Sequence, residues 1–257
     1  MNDVLPKMDR MIRQAAHDHS PCVGHCTYDA DDFCLSCRRH TDEIGAWRDA
    51  DEALRLAAWG RIPAAIDAAG LDVMRLPLSP DDILILALEA LDHGGAWAVT
   101  VGGITAYAHD LIADNDGIAS AISADGQTEI TFDLSGKMRA LAWTRQAATG
   151  RSLADDLHDL PILLVVPKVR LNLPVYEEPT ALDDGRIDCG LGRADCRALT
   201  DGDDLMLETM LATARIKNGA GLKPSLMPSD QSIIKGLDLP ESYALAAVVL
   251  PKGEADL

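Results

Sequence analysis

Aromatic side chains are scarce in this chain: four Trp, four Tyr and two Phe among 257 residues. Few flat surfaces are therefore on offer for stacking bases or planar ligands, and any core must be built mainly from Leu, Ile, Val and Ala. Basic residues are in short supply too, with 23 Lys and Arg against 41 Asp and Glu and a formal net charge of −18. A surface of that sign repels phosphate backbones and anionic headgroups. Nucleic acid and membrane surfaces are thereby disfavoured as partners; solubility alone is the commoner reason for such acidity, and a protein with a basic surface is the one partner class it leaves open. Long hydrophobic runs are missing as well. The longest, residues 83–88, is far shorter than a bilayer span. The first residues lack a charged-then-apolar leader, and the expectation is a soluble, cytoplasmic protein.

Catalytic signatures are also lacking. There is no Ser/His/Asp set or nucleophile elbow. Gly190-Leu191-Gly192-Arg193 starts like a dinucleotide loop but runs into Ala194-Asp195 with no helix pattern behind it. Gly219-Ala220-Gly221 lacks the spacing of a phosphate loop. The sequence names no catalytic residue and leans away from an enzyme.

What is present is a cysteine cluster. Cys22, Cys26, Cys34 and Cys37 occupy sixteen residues as C-x3-C-x7-C-x2-C. In a reducing compartment, clustered thiols favour a metal over disulfides. C-x2-C is the knuckle spacing of zinc and iron–sulfur sites, because its turn aims both sulfurs inward. C-x3-C is close to one helical turn and places its sulfurs on one side. Two other readings compete: four small buried apolar residues, and a redox pair at Cys34 and Cys37. Four thiolates on Zn²⁺ leave a net charge of −2, as do four on an oxidised iron–sulfur cluster. Charge does not separate the two metals, and Arg38 and Arg39 would soften either.

Other clusters have ordinary structural readings. His17, His19, His25 and His40 lie near the cysteines, and solvent-exposed polar residues explain them better than ligands do. Asp29, Asp31 and Asp32 resemble a calcium loop, but Phe33 and Cys34 stand where an oxygen ligand and a glycine are needed. Asp155, Asp156, His158 and Asp159 read as a charged helical turn. Cys189 and Cys196 read as small buried residues of a hairpin.

Charge and pattern divide the chain into a four-cysteine metal-binding domain over residues 1–76 and an acidic domain over 77–257. The first holds 9 basic against 13 acidic residues and the second 14 against 28. In the first, helices are expected over residues 7–16, from Thr41 with its hydroxyl as cap, and over 51–59, where Pro63 ends or kinks the last. Ile44 and Trp47 would press on the knuckle. Residues 64–78 read as the connection. In the second, Ser79-Pro80-Asp81-Asp82 starts a buried helix over 80–91. Strands are expected over 97–101, 104–108, 129–132, 138–144, 162–166 and 243–250, with a hairpin around Gly190 and an amphipathic helix over 205–216. Strands in hairpin order with helices at the ends predict an α+β fold: a small helical cysteine domain, then a larger domain with a mostly antiparallel sheet.

The segments Ser20-Pro21-Cys22-Val23-Gly24-His25-Cys26, Cys34-Leu35-Ser36-Cys37-Arg38-Arg39 and Asp42-Glu43-Ile44-Gly45-Ala46-Trp47 together resemble the YdhL-type bacterial proteins. That family has no settled function and is customarily labelled a predicted iron–sulfur protein. The resemblance spans about residues 20–64 and implies that Cys22, Cys26, Cys34 and Cys37 are the ligands of one centre, Zn²⁺ or an iron–sulfur cluster. Ser36 stands where the family has glycine, and His40 where it has threonine. The function expected is a metal-binding interaction or regulatory module. An iron–sulfur redox or sensing protein is the alternative, followed by an enzyme whose site lies in residues 77–257.

Overall fold

The computed structural model describes residues 20–22, 26, 28–35, 37–68, 73–76, 78–115, 117–133, 138–143, 160–168, 171–225, 239 and 243–253, with the backbone alone at 63–68 and 74. The expected helix over 7–16, His17, His19, His25, Ser36 and the turn of Asp155, Asp156, His158 and Asp159 lie outside the described residues.

The fold is α+β, with a short helical region bearing the cysteines followed by two antiparallel sheets. Along the chain come α1 (Thr41–Ala46), a 3₁₀ turn (Trp47–Asp49), α2 (Glu52–Ala68), β1 (Val73–Leu76), α3 (Pro80–Asp92), β2 (Ala96–Val101) and β3 (Ile104–Ala108). Then follow β4 (Asp110–Asn115), β5 (Ile118–Ile122), β6 (Thr128–Asp133), β7 (Arg139–Trp143) and β8 (Ile162–Pro167). The last are β9 (Thr180–Ala181), β10 (Ile187–Asp188), β11 (Cys196–Asp201), β12 (Asp204–Thr209), β13 (Ala212–Ile216) and β14 (Tyr243–Leu250).

One sheet has six strands in the order β1-β7-β8-β14-β2-β3, and the other eight, β4-β5-β6-β13-β12-β11-β10-β9. The chain passes between them at His109, the one residue separating β3 from β4. The main core lies between the sheets and α3. It joins Ile83, Leu86 and Leu91 of α3 to Trp97, Val99, Ile130, Phe132, Leu205 and Leu207. With so few aromatics in the chain, two of them meet in this core, Trp97 stacking on Phe132 with ring centres 4.2 Å apart. Trp97 Nε1 donates to Ala87 O at 2.9 Å, which satisfies its buried N–H and ties α3 to β2.

β2 is buried on both faces, with Trp97, Val99 and Val101 inward and Ala96 and Ala98 on the outer face of the six-stranded sheet. That outer face carries a second apolar cluster, including Val73, Leu141, Trp143, Leu163, Val165 and Tyr243. α3 begins where expected. Ser79 Oγ accepts from Asp82 N at 3.1 Å, and Asp82 Oδ2 accepts from Ser79 N at 3.1 Å.

Four local expectations are corrected. The helix expected over 205–216 is the β12–β13 hairpin. Leu, Met, Glu and Ala are good helix formers, but Leu205 and Leu207 are buried two apart, Met206 and Glu208 less so, and strands pair on both sides. Thr209 Oγ1 accepts from Ala212 N at 3.1 Å and closes the turn. Second, the acidic stretch from Thr200, which reads in the sequence as the entry to that helix, is not one: Thr200 and Asp201 finish a strand, and Gly202, at φ +60°, takes the first central position of a two-residue hairpin turn.

Third, α2 runs through Pro63 to Ala68. A proline inside a helix costs about 3 kcal/mol, and burial of Ala58, Trp59 and Ile62 offsets it. Part of the stretch expected to be connection is therefore helix, and part is β1, paired with β7. Fourth, the cap of α1 is His40 and not Thr41: His40 Nδ1 accepts from Asp42 N at 3.2 Å, and Glu43 Oε2 accepts from His40 N at 2.8 Å.

β4 and β5 are strands that the pattern missed. β4 is an edge strand exposed along its whole length, and its register shifts between Leu111 and Ala113.

Candidate metal centre

The site is built on a small loop system. Bridges pair Tyr28 with Cys34 and Phe33 with His40. The turn between them is organised by Asp29, whose Oδ1 accepts from Asp31 N at 3.1 Å and Phe33 N at 2.9 Å. Its carboxyl is held below the usual carboxylate range by the Phe33 N–H first, then by the Asp31 N–H and the Arg38 guanidinium. Asp29 thus shapes the loop that presents Cys34.

The Cys34–Cys37 segment is a knuckle. Cys34 N donates to Arg39 O and Arg38 N to Cys34 O, each at 2.8 Å, and Arg38 adopts φ +52° to close the loop. Both cysteines are 1% exposed. The Cys37 thiol is pushed well up, first by its hydrogen bond with the Cys34 thiol and then by burial. Arg39 acts the other way, its Nε donating to Cys37 Sγ at 3.4 Å. Arg39 is itself 3% exposed, and its guanidinium lies 4.4 Å from the centre of the Trp47 ring. The expected lid residue Trp47 therefore bears on the knuckle through Arg39.

The structure brings Cys26, Cys34 and Cys37 near one another. Cys26 is exposed, and its thiol hydrogen-bonds the Tyr28 hydroxyl; that bond, with the Cys34 and Cys37 thiols beyond it, raises the tyrosine's pKa. Cys22 is half-buried and held through its backbone, its N–H donating to Ser20 Oγ at 3.3 Å and its carbonyl accepting from Arg139. All six cysteines are thiols. The donor set has the chemistry of zinc and iron–sulfur sites. Among the described residues, however, no three His, Cys, Asp or Glu side chains already surround one point that could hold an ion.

His40 spends Nδ1 on the α1 cap and packs its ring edge-on to Phe33 at 5.3 Å, so its work here is local. Arg61 of α2 reaches the knuckle: its Nη2 lies 2.5 Å from Glu43 Oε2, and its Nε donates to Arg38 O at 2.9 Å. Arg61, Arg75 and Arg139 were not singled out from sequence. A lone arginine in the apolar strand Val73–Leu76 is the one signal that could have drawn notice.

Away from this site, Cys189 and Cys196 are half-buried at the β10–β11 hairpin, their thiols raised by burial first. Gly190, at φ +74°, packs so closely that a Cβ would sit 2.3 Å from Glu178 C. That glycine combines a positive φ with close backbone packing against the segment that precedes β9. Gly219 and Ala220 form a turn after β13, with Ala220 N donating to Asp203 O at 2.9 Å.

Residues 20–65 match the model of a family described as a protein of unknown function, DUF1289. No curated protein and no solved structure matches the chain. No helix among the described residues is long and apolar enough to cross a membrane.

Proposed function

We propose that residues 20–65 hold one metal ion, Zn²⁺, through the thiolates of Cys22, Cys26, Cys34 and Cys37. On this reading the unit is a metal-stabilised interaction or regulatory module and not a catalytic one. One observation carries the reading: a buried cysteine pair on a closed knuckle, with a buried guanidinium hydrogen-bonded to one sulfur. An arginine in that position favours a thiolate over a thiol, which is the form a metal takes.

Bound zinc would supply roughly 10–16 kcal/mol of binding energy at neutral pH, which suits a short unit with few large apolar groups. The thiols suit a reducing, cytoplasmic setting. The acidity of residues 77–257 suits a partner with a basic surface. The competing centre is an iron–sulfur cluster on the same four thiolates, favoured by the family resemblance of the cysteine segments. It would make the protein a sensor or electron carrier.

Anaerobically prepared protein, assayed for metals and by absorption spectroscopy, decides between them. The expected result is one zinc per chain and no visible absorption, with the metal lost in Cys34→Ser. Iron with sulfide and visible charge-transfer bands would establish the cluster instead. A chain that takes up neither metal refutes the reading.

A further inference from the structure

The family-matched stretch meets the six-stranded sheet at two arginines. Arg75 of β1 pairs in register with Leu141 of β7, and Arg139 lies two residues before Leu141, so both arginines stand on the outer face of the sheet. Their guanidinium groups run to consecutive carbonyls of the cysteine segment. Arg75 Nη1 donates to Pro21 O at 2.8 Å, and Arg139 Nη2 donates to Cys22 O. The first cysteine is thus carried by the sheet, whereas Cys34 and Cys37 are carried by their own knuckle.

Arg75 is 3% exposed, and its guanidinium lies 5.0 Å from the centre of the Trp59 ring. Its Nε is buried with no hydrogen-bond partner, and no carboxylate forms an ion pair with it among the described residues. A buried cation without an anion is costly, and such groups are retained where a counter-charge completes them. Arg39 presents the same pattern and is answered by the Cys37 sulfur. The carbonyl that Arg75 grips immediately precedes Cys22.

We propose that Arg75 and Arg139 are positioning residues for Cys22, holding the first thiolate from the β sheet, and that Arg75 is a counter-charge of the loaded centre. The inference rests on the metal reading above. Four thiolates around Zn²⁺ carry a net charge of −2, and Arg75 supplies a buried positive charge on the side where Cys22 joins. Metal loading and the order of β1 are then coupled, and each stabilises the other.

The test is a competition titration of Zn²⁺ against a chromophoric chelator, using the full chain, reduced and metal-free. Wild type, Arg75→Met and Arg75→Lys are compared, with circular dichroism confirming the fold of each. Arg75→Met is expected to bind zinc at least tenfold more weakly. Arg75→Lys, which keeps the charge and loses the planar fork, should fall between. Equal affinity in wild type and a folded Arg75→Met overturns the proposal and leaves the metal reading standing. A wild-type chain that binds neither zinc nor iron removes that reading and the proposal with it.

Should Arg75→Met fail to fold, hydrogen exchange on the wild type gives the answer. Amides of Val73–Leu76 are expected to exchange at least fivefold more slowly with zinc than without. Unchanged exchange in β1 while the amides of residues 34–39 slow overturns the coupling.

Discussion

Replacing Arg39 by methionine removes a single charge from the knuckle while keeping most of its apolar stem. Its Nε is 3.4 Å from Cys37 Sγ and the residue is 3% exposed, so solvent screens the pair little. Two unit charges about 4 Å apart attract by about 4 kcal/mol at an effective dielectric of 20. Desolvation already paid by the guanidinium offsets part of this, and supporting groups around metal ligands are typically worth 10–100-fold in affinity. Arg39→Met should therefore weaken zinc binding by about 10–100-fold, or roughly 1.4–2.7 kcal/mol. Metal-free protein should also lose some stability, because the stack on Trp47 is worth up to about 2 kcal/mol. The assay is zinc competition at neutral pH and below the melting point of both proteins, with Arg39→Lys alongside. An affinity for Arg39→Met within twofold of wild type would refute the argument that this guanidinium serves the thiolate.

Two further outcomes are expected. Gly190→Ala places a methyl group against three backbone atoms of Glu178, the nearest at 2.3 Å, at a residue whose φ is +74°. The left-handed conformation alone costs roughly 1–2 kcal/mol for a non-glycine residue and the clash adds to it. Thermal melting should show a fall of several degrees, and an unchanged melting point would mean that the hairpin relaxes freely. Asp29, Asp125, Asp184 and Asp204 all have carboxyls depressed below their ordinary 3.8. For Asp29 the first cause is the Phe33 N–H, for Asp125 the Ser123 hydroxyl, for Asp184 the Arg186 guanidinium and for Asp204 the Asn218 N–H. Their stabilising contributions are complete above the unfolded value and are lost as pH falls through the depressed folded values. Denaturant midpoints at pH 7 and pH 3 measure this, and a midpoint that holds or rises at pH 3 would contradict it.

Strands dense in β-branched or aromatic residues were legible in the sequence because their local preference and their burial agree. Ile162–Pro167 and Tyr243–Leu250 are examples, each buried along nearly its whole length. The cysteine knuckle was legible for a different reason: two residues between thiols admit few loop geometries. Residues 205–216 misled because helix-forming side chains sit there with strands on both sides, and pairing outweighs intrinsic preference. β4 escaped notice because an exposed edge strand has no apolar alternation to display. The arginines of the candidate site were illegible for the most basic reason. Arg75 meets Pro21 across 54 positions and Arg139 meets Cys22 across 117, and no local pattern records such a meeting.

The exposed strand β4 has a consequence for how the protein behaves in company. Leu111 and Ile112 are 42% and 52% exposed on an edge with open backbone groups, the arrangement through which strands of neighbouring molecules stack. The register break between Leu111 and Ala113 interrupts that template after two residues, and Asp110 and Asp114 place like charges where an identical strand would have to lie. Self-assembly along this margin is opposed by geometry and by charge together, so the acidity that colours the whole chain also guards an exposed border of its sheet.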